Sequence, residues 1–223
     1  MTTRTASAVL LALTLALAAF LRLSDLGEVP GWYPDEGSNI AIAESLACGK
    51  PGYLAFEDSY FIAGHVPLVY YEMALLFRWF GVSIVWARLL TAALGLLTLL
   101  LLFLVVDQVS GRAVALAAAA FFAVYPGAAL LSRMAFTYNQ LAPLTLLALY
   151  GLWRGREGTG SGWILLSVVC VGAALLTDLA AVGILVFFAV ALLFIKPRAL
   201  LWALPLAVLP LAAWGIAIWA AAG

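Results

Sequence analysis

Apolar residues along this chain gather in long unbroken runs, at 6–21, 85–106, 113–131, 138–153, 163–177, 179–195 and 199–220. One long polar stretch, 22–84, and several short ones separate them and hold most of the charged residues. A helix needs about 20 apolar residues to cross the hydrocarbon core of a bilayer. The pattern therefore predicts an all-α membrane protein with about seven transmembrane helices in a single transmembrane domain over 1–223. The stretch Pro67 to Phe80 is apolar but only 14 residues long, is interrupted by Glu72 and Arg78, and is rich in aromatic residues. It suits a helix lying at the membrane surface better than a span. In the first run, Ala16-Leu17-Ala18 resembles a signal-peptidase site, but the apolar stretch continues past it, which favours an uncleaved signal anchor.

Composition agrees with this pattern. The AVILMFWYC set makes up 66% of the 223 residues and charged residues only 10%, which excludes an ordinary soluble domain. Eleven basic and eleven acidic side chains cancel, so no basic surface points to nucleic acid. Cys48 and Cys170 fall in unlike surroundings, and there is no CxxC or His/Cys cluster to suggest zinc or redox chemistry. The position of the charges is more informative than their sum. With seven spans, Arg4, Arg112, Arg154, Arg156, Lys196 and Arg198 all fall in short segments on one side, which the positive-inside rule assigns to the cytoplasm together with the N-terminus. Residues 22–84 then form one external loop with juxtamembrane helices, carrying Asp25, Glu28, Asp35, Glu36, Glu44, Glu57, Asp58 and Glu72, eight of the eleven acids. The segment 154–162, rich in glycine, reads as a flexible cytoplasmic turn.

Candidate chemistry lies on the external side. Asp35 and Glu36 stand together ahead of a helical stretch, Ile40 to Ala47, that stops at Gly49 and Pro51. Two readings are open: the carboxylates complement the helix dipole, or one takes a proton from an acceptor while the other orients it or binds a cation through oxygen. His65, the only histidine, precedes the surface helix in Gly64-His65-Val66-Pro67-Leu68, as a structural hydrogen bonder or a residue lining a site. Ser132-Arg133-Met134-Ala135-Phe136-Thr137-Tyr138-Asn139 forms the external turn between the third and fourth spans. Arg133 either snorkels from a span end or offers paired donors to a lipid phosphate. Asp178, at the outer end of the fifth span, is either an interfacial acid or a member of the site.

The order of these features carries a resemblance: signal anchor, external Asp-Glu pair, His-x-Pro-Leu before a Tyr-rich surface helix, Gly81-x-Ser83 followed by Arg88-Leu89-Leu90, Ser110-Gly111-Arg112, then Ser132-Arg133. It resembles the polytopic glycosyltransferases of the C-type fold. Within them it is most similar to the dolichyl-phosphate-mannose-protein mannosyltransferase relatives of glycosyltransferase family 39, which include the bacterial lipid A aminoarabinose transferases. The resemblance implies an enzyme of the plasma (inner) membrane, with its active face external or periplasmic. Such an enzyme moves a sugar from a polyprenyl-phosphate carrier to an acceptor outside. Asp35 matches the family's catalytic base and would act with inversion at the anomeric carbon. Glu36 would assist it, Arg133 and then Arg88 would hold the donor phosphate, and His65, Asp178, Tyr138 and Asn139 would line the site. A divalent cation, Mg or Mn, is a candidate cofactor on Asp35 and Glu36. Relatives often carry an acid five or six residues after the Ser-Arg arginine, where Tyr138 and Asn139 stand here.

Relatives also commonly have more spans and a further external domain. The alternative reading is therefore a non-catalytic or truncated membrane subunit that keeps the fold and works beside a protein partner completing the core. A lipid carrier or transporter would place charges inside spans near the midplane, whereas nearly every charge here lies at a span end. The expected partners are a polyprenyl-phosphate-linked sugar and membrane lipids.

Overall fold

The structure, a computed structural model, describes residues 3–50, 66–156 and 161–222. Among these it is helical, without strands. The helices are α1 (Thr3–Leu23), α2 (Pro34–Ala47), α3 (Leu68–Phe80), α4 (Ile84–Ser110), α5 (Arg112–Val124), α6 (Pro126–Leu131), α7 (Leu141–Arg156), α8 (Ser161–Leu175), α9 (Val182–Ile195) and α10 (Leu200–Ala222), with short 3₁₀ turns ahead of α7, α9 and α10. Each apolar run of the sequence maps onto one of these helices or, for 113–131, onto a pair. Pro67 to Phe80 forms the separate helix α3, and Gly64 and His65 lie outside the described residues.

The run 113–131 is broken because Pro126 has no N–H to continue the helix and disfavours helical geometry in the residue before it. Tyr125 is accordingly extended (φ −61°, ψ 116°), and Pro126 starts α6. The seven expected spans are matched by helices of unequal length. Among the described residues three segments, Thr5–Leu23, Ile84–Ser110 and Pro197–Ala217, are long and apolar enough to cross a membrane alone. Helix α5, with 13 residues, rises only about 20 Å at about 1.5 Å per residue, and α8 and α9 are also short.

Short connections fold α5 back against α4, α8 against α7 and α10 against α9. Gly111 alone joins α4 to α5, with φ 84° and ψ 168°, a conformation reached essentially only by glycine. Helix α5 packs on α1 and α4 through Ala115, Ala119 and Ala123, one face of the helix at a spacing of four, against Ala18, Leu99 and Phe103. Small residues on such a face let helix backbones approach closely, the source of packing energy where lipid removes the hydrophobic driving force. A second core joins α7, α8, α9 and α10 around Leu152, Val168, Phe188, Leu192, Ala203 and Ala207.

The contact between α7 and α8 is close enough to forbid a methyl group. A Cβ on Gly151 would lie 2.7 Å from the Trp163 carbonyl and also against the Ser167 hydroxyl, which itself donates to the Ala148 carbonyl (2.8 Å). A Cβ on Gly155 would press on the Ile164 side chain, nearest at its flexible Cδ1 end, with the Ile164 backbone nitrogen at an ordinary 3.6 Å. Gly151→Ala is thus expected to destabilise by about 1–3 kcal/mol, the usual cost of overpacking, while Gly155→Ala is tolerated. Thermal unfolding of the two variants in detergent checks this, and equal midpoints would contradict the packing.

The alternation sorts the charges. Asp107, Arg112, Arg154, Arg156, Lys196 and Arg198 gather at one end of the bundle, near the connections α4–α5, α7–α8 and α9–α10. The ends of α1 and α8, the starts of α4 and α7, and helices α2 and α3 meet at the other. That second end carries Asp25, Glu28, Asp35, Glu36, Glu44, Glu72 and Asp178.

Candidate active site

At the acidic end, α2 begins where Pro34 fixes helical φ after an extended Tyr33. This is six residues earlier than the stretch from Ile40 read in the sequence, so Asp35 and Glu36 stand inside the first turn rather than ahead of the helix. Neither makes a side-chain cap at Tyr33. Adjacent residues on a helix project about 100° apart, and the two carboxylates have opposite fates. Glu36 joins the buried face with Asn39, Ala43 and Leu46, and Asp35 is exposed.

Glu36 is 0% exposed and paired with Arg88, also 0% exposed, from the second turn of α4. Arg88 Nε donates to Glu36 Oε1 (2.9 Å) and Nη2 to Oε2 (2.7 Å), the bidentate arrangement that guanidinium geometry favours. The Ala135 N–H also donates to Oε1 (2.8 Å). The remaining donors of Arg88 go to the carbonyls of Leu26 (2.7 Å) and Gly31. One buried pair thus ties α2, α4, the segment after α1 and the turn after α6 together.

Arg133, also buried, caps the end of α1. Its Nη1 donates to the Leu21 carbonyl (2.6 Å), and Nη2 to the carbonyls of Ser24 and Val29 (3.1 Å for the latter). Arg22, fully buried, does the same for α5, donating to the carbonyls of Ala123 (2.9 Å) and Phe122 (3.1 Å). Each arginine satisfies the orphan carbonyls of a helix end and complements its negative dipole. Neither Arg88 nor Arg133 presents an unengaged pair of donors toward a phosphate.

Asn139 ties the turn internally through the carbonyls of Leu131 (2.8 Å) and Met134 (2.9 Å). Tyr33, Phe136 and Tyr138 form an aromatic wall, the first pair edge to face at 5.5 Å and the second stacked at 5.1 Å. Asp35 belongs to this wall's surroundings. Burial, then the Asp35 carboxylate and Tyr33, push the Tyr138 phenol above its ordinary pKa, so it remains a neutral donor at physiological pH. Among the described residues the Asp35 carboxylate accepts no hydrogen bond and forms no ion pair.

Behind this surface lies a polar layer with no sequence signature. Tyr70 donates to Asn39 Oδ1 (3.0 Å), and Asn39 Nδ2 donates to the Ala135 carbonyl (2.9 Å). Asp178 stands near Tyr70, whose phenol is pushed up by burial and secondarily by that carboxylate. Asp178 itself caps the turn before α9 by accepting from the Ala180 N–H (2.8 Å). Gln140 donates to Glu72 Oε1 (2.8 Å) and accepts from Thr177 (3.2 Å), bridging α3, the turn before α7 and the segment after α8.

Glu72 Oε2 is buried without a partner among the described residues. Burial pushes its carboxyl up, against the Gln140 hydrogen bond, which pulls it down. A carboxyl whose folded pKa lies above its unfolded value stabilises fully below about pH 4.3, and that contribution is lost as pH rises through the folded value. Glu72→Gln should therefore gain stability over wild type at pH 7.5 but not at pH 4. Thermal midpoints at the two pH values check this, and a pH-independent difference would count against it.

A divalent cation does not fit the Asp35–Glu36 pair as placed. Both Glu36 oxygens are taken by Arg88 and one also by Ala135, which leaves a single available carboxylate. No group of three or more His, Cys, Asp or Glu capable of holding a metal occurs among the described residues.

No curated protein matches the chain significantly in sequence. In structure it is similar to ArnT from Cupriavidus metallidurans, solved bound to undecaprenyl phosphate, with a TM-score of 0.71 and 18% identity over 97% of this chain. At that identity the likeness establishes the fold, the C-type glycosyltransferase core expected from the order of motifs. This chain spans 42% of the length of that protein. The family model for dolichyl-phosphate-mannose-protein mannosyltransferase matches residues 64–222, well over half of the chain, and with the apolar helices and the shared fold this makes the protein a membrane protein that belongs to that family.

Proposed function

We propose that the chain is a membrane glycosyltransferase that moves a sugar from a polyprenyl-phosphate donor to an acceptor at the external face of the plasma membrane, with Asp35 as the base. The observation that carries this reading is the contrast between neighbours: Glu36 is immobilised by Arg88, while the adjacent Asp35 carboxylate is exposed and, among the described residues, unengaged beside the Tyr33–Phe136–Tyr138 wall. A base on a rigid element, with no described residue competing for its lone pairs, meets the positional requirement of general base catalysis.

In the proposed step, Asp35 accepts the proton of an acceptor hydroxyl or amine as the acceptor atom bonds to the anomeric carbon. The bond from that carbon to phosphate oxygen breaks on the opposite face, inverting the configuration and releasing polyprenyl phosphate with its electron pair. Family membership and the lipid phosphate bound to the ArnT neighbour support this donor class. Glu36, Arg88 and Arg133 act as positioning residues, holding α2, α4 and the α1 end around the base. The positive-inside arrangement of Arg112, Arg154, Arg156, Lys196 and Arg198 supports placing the acidic end outside.

The engaged state of Arg88 and Arg133 favours a second reading, in which a partner protein supplies the cations for the leaving phosphate and this chain supplies the frame. The test offers membranes expressing the chain a panel of radiolabelled polyprenyl-phosphate sugars and, in parallel, nucleotide sugars. Transfer from the lipid-linked donors alone is expected. Transfer from nucleotide sugars would overturn the donor class, and transfer that needs a co-expressed second protein would establish the partner-dependent reading.

A further inference from the structure

At the end of the bundle opposite Asp35, the start of α8, the end of α9 and the start of α10 border an open pocket of about 550 Å³, with Ser161 and Arg198 exposed at its rim and Lys196 half-buried. Its walls combine two kinds of chemistry. Ile164, Ile195 and Trp202 supply an apolar side, and Lys196, Arg198 and Ser161 supply cations and a hydroxyl. Neither Lys196 nor Arg198 has an ion-pair or hydrogen-bond partner for its side chain among the described residues. Their neighbours differ: Arg112 at the same end is neutralised by Asp107 at 2.8 Å, and Arg154 and Arg156 lie over the rings of Trp163 and Trp153.

We propose that this pocket binds the phosphate headgroup of an anionic membrane phospholipid. Two cations without a partner among the described residues, together with a hydroxyl, suit a phosphate diester, for which guanidinium offers paired donors and ammonium a point charge. Helices α8 and α10 begin at its rim, and their positive ends add to the attraction for an anion. A lipid source is favoured over a free ion by the surroundings. Phe194 and Leu201, each next to a lining residue, are 85% and 83% exposed, so the pocket adjoins an apolar surface that acyl chains would cover. A basic pocket between helix ends at the membrane face is a recurring way to hold such headgroups. The site is separate from the proposed transfer chemistry and does not depend on it.

The test is lipid retention by the full chain purified in mild detergent, read by native mass spectrometry after incubation with phosphatidylglycerol or phosphatidylcholine. One phosphatidylglycerol per chain should be retained about tenfold more tightly than phosphatidylcholine. The pair Lys196→Gln and Arg198→Gln should abolish the preference. The charge-keeping pair Lys196→Arg and Arg198→Lys should preserve it, and so should Arg112→Gln, whose charge is already paired. Elution as a monodisperse species shows that each variant is folded, and if the glutamine pair fails to fold, either single substitution should still weaken retention severalfold. Equal retention of both lipids by wild type, or an unchanged preference in the folded glutamine variants, would overturn the proposal. Displacement of phosphatidylglycerol by millimolar inorganic phosphate would overturn the lipid assignment in favour of a soluble ion.

Discussion

Asp35→Asn is expected to lower sugar transfer by at least about 100-fold, the lower end of what a positioned general base contributes, while leaving the protein folded. The amide is the same size and shape as the carboxylate but cannot take the acceptor's proton. Stability should barely change, because the Asp35 side chain is exposed and accepts no hydrogen bond among the described residues. What is lost is its interaction with the α2 dipole, about 0.3–1 kcal/mol. Initial rates and thermal midpoints measured on the same preparation separate the two effects. A parallel fall of both would make Asp35 a structural residue.

Glu36→Ala should produce the opposite profile, a large loss of stability. It leaves Arg88 buried with two of its donors unpaired and also strips the Ala135 N–H of its acceptor. Breaking a buried pair from one side typically costs about 3–5 kcal/mol, comparable with the whole stability of many domains. Arg88→Ala should cost as much, since it strands Glu36 and frees the carbonyls of Leu26 and Gly31. Combining Glu36→Met with Arg88→Met should recover part of the loss, because no buried charge remains. The coupling is read from thermal midpoints of the two single variants and the double variant. Additive losses would mean that the pair is not a unit. A Glu36→Ala protein of normal stability but without transfer would move Glu36 from the frame into the chemistry.

The helices were legible in the sequence because the apolar runs are long and their polar boundaries sharp. Even α3, too short to span, was marked out by Glu72, Arg78 and its aromatics. The break at Pro126 was visible as a residue but not as an event, since hydropathy runs through Tyr125 and Pro126 without interruption. The Asp35–Glu36 pair was legible as a candidate, but which member is buried was not. That choice depends on the phase of α2, set at Pro34, and on Arg88, a partner 52 residues away.

The arginine caps are harder still. Arg22 and Arg133 bind backbone carbonyls at the ends of other helices, and a carbonyl has no residue identity to leave a pattern in sequence. Arg133 therefore matched a phosphate-binding motif by position, while its donors close the end of α1. The network of Glu72, Gln140 and Thr177 was hidden for a related reason: it joins α3, the turn before α7 and the segment after α8 through single polar residues, each unremarkable beside its apolar neighbours.

The central claim, that Asp35 is the base for transfer from a polyprenyl-phosphate sugar, is tested most directly with purified chain in lipid vesicles. The vesicles contain one radiolabelled polyprenyl-phosphate sugar and an excess of acceptor, and wild type is compared with Asp35→Asn. Label should move to the acceptor with wild type and remain on the lipid with the variant. Equal transfer by both proteins would contradict the claim.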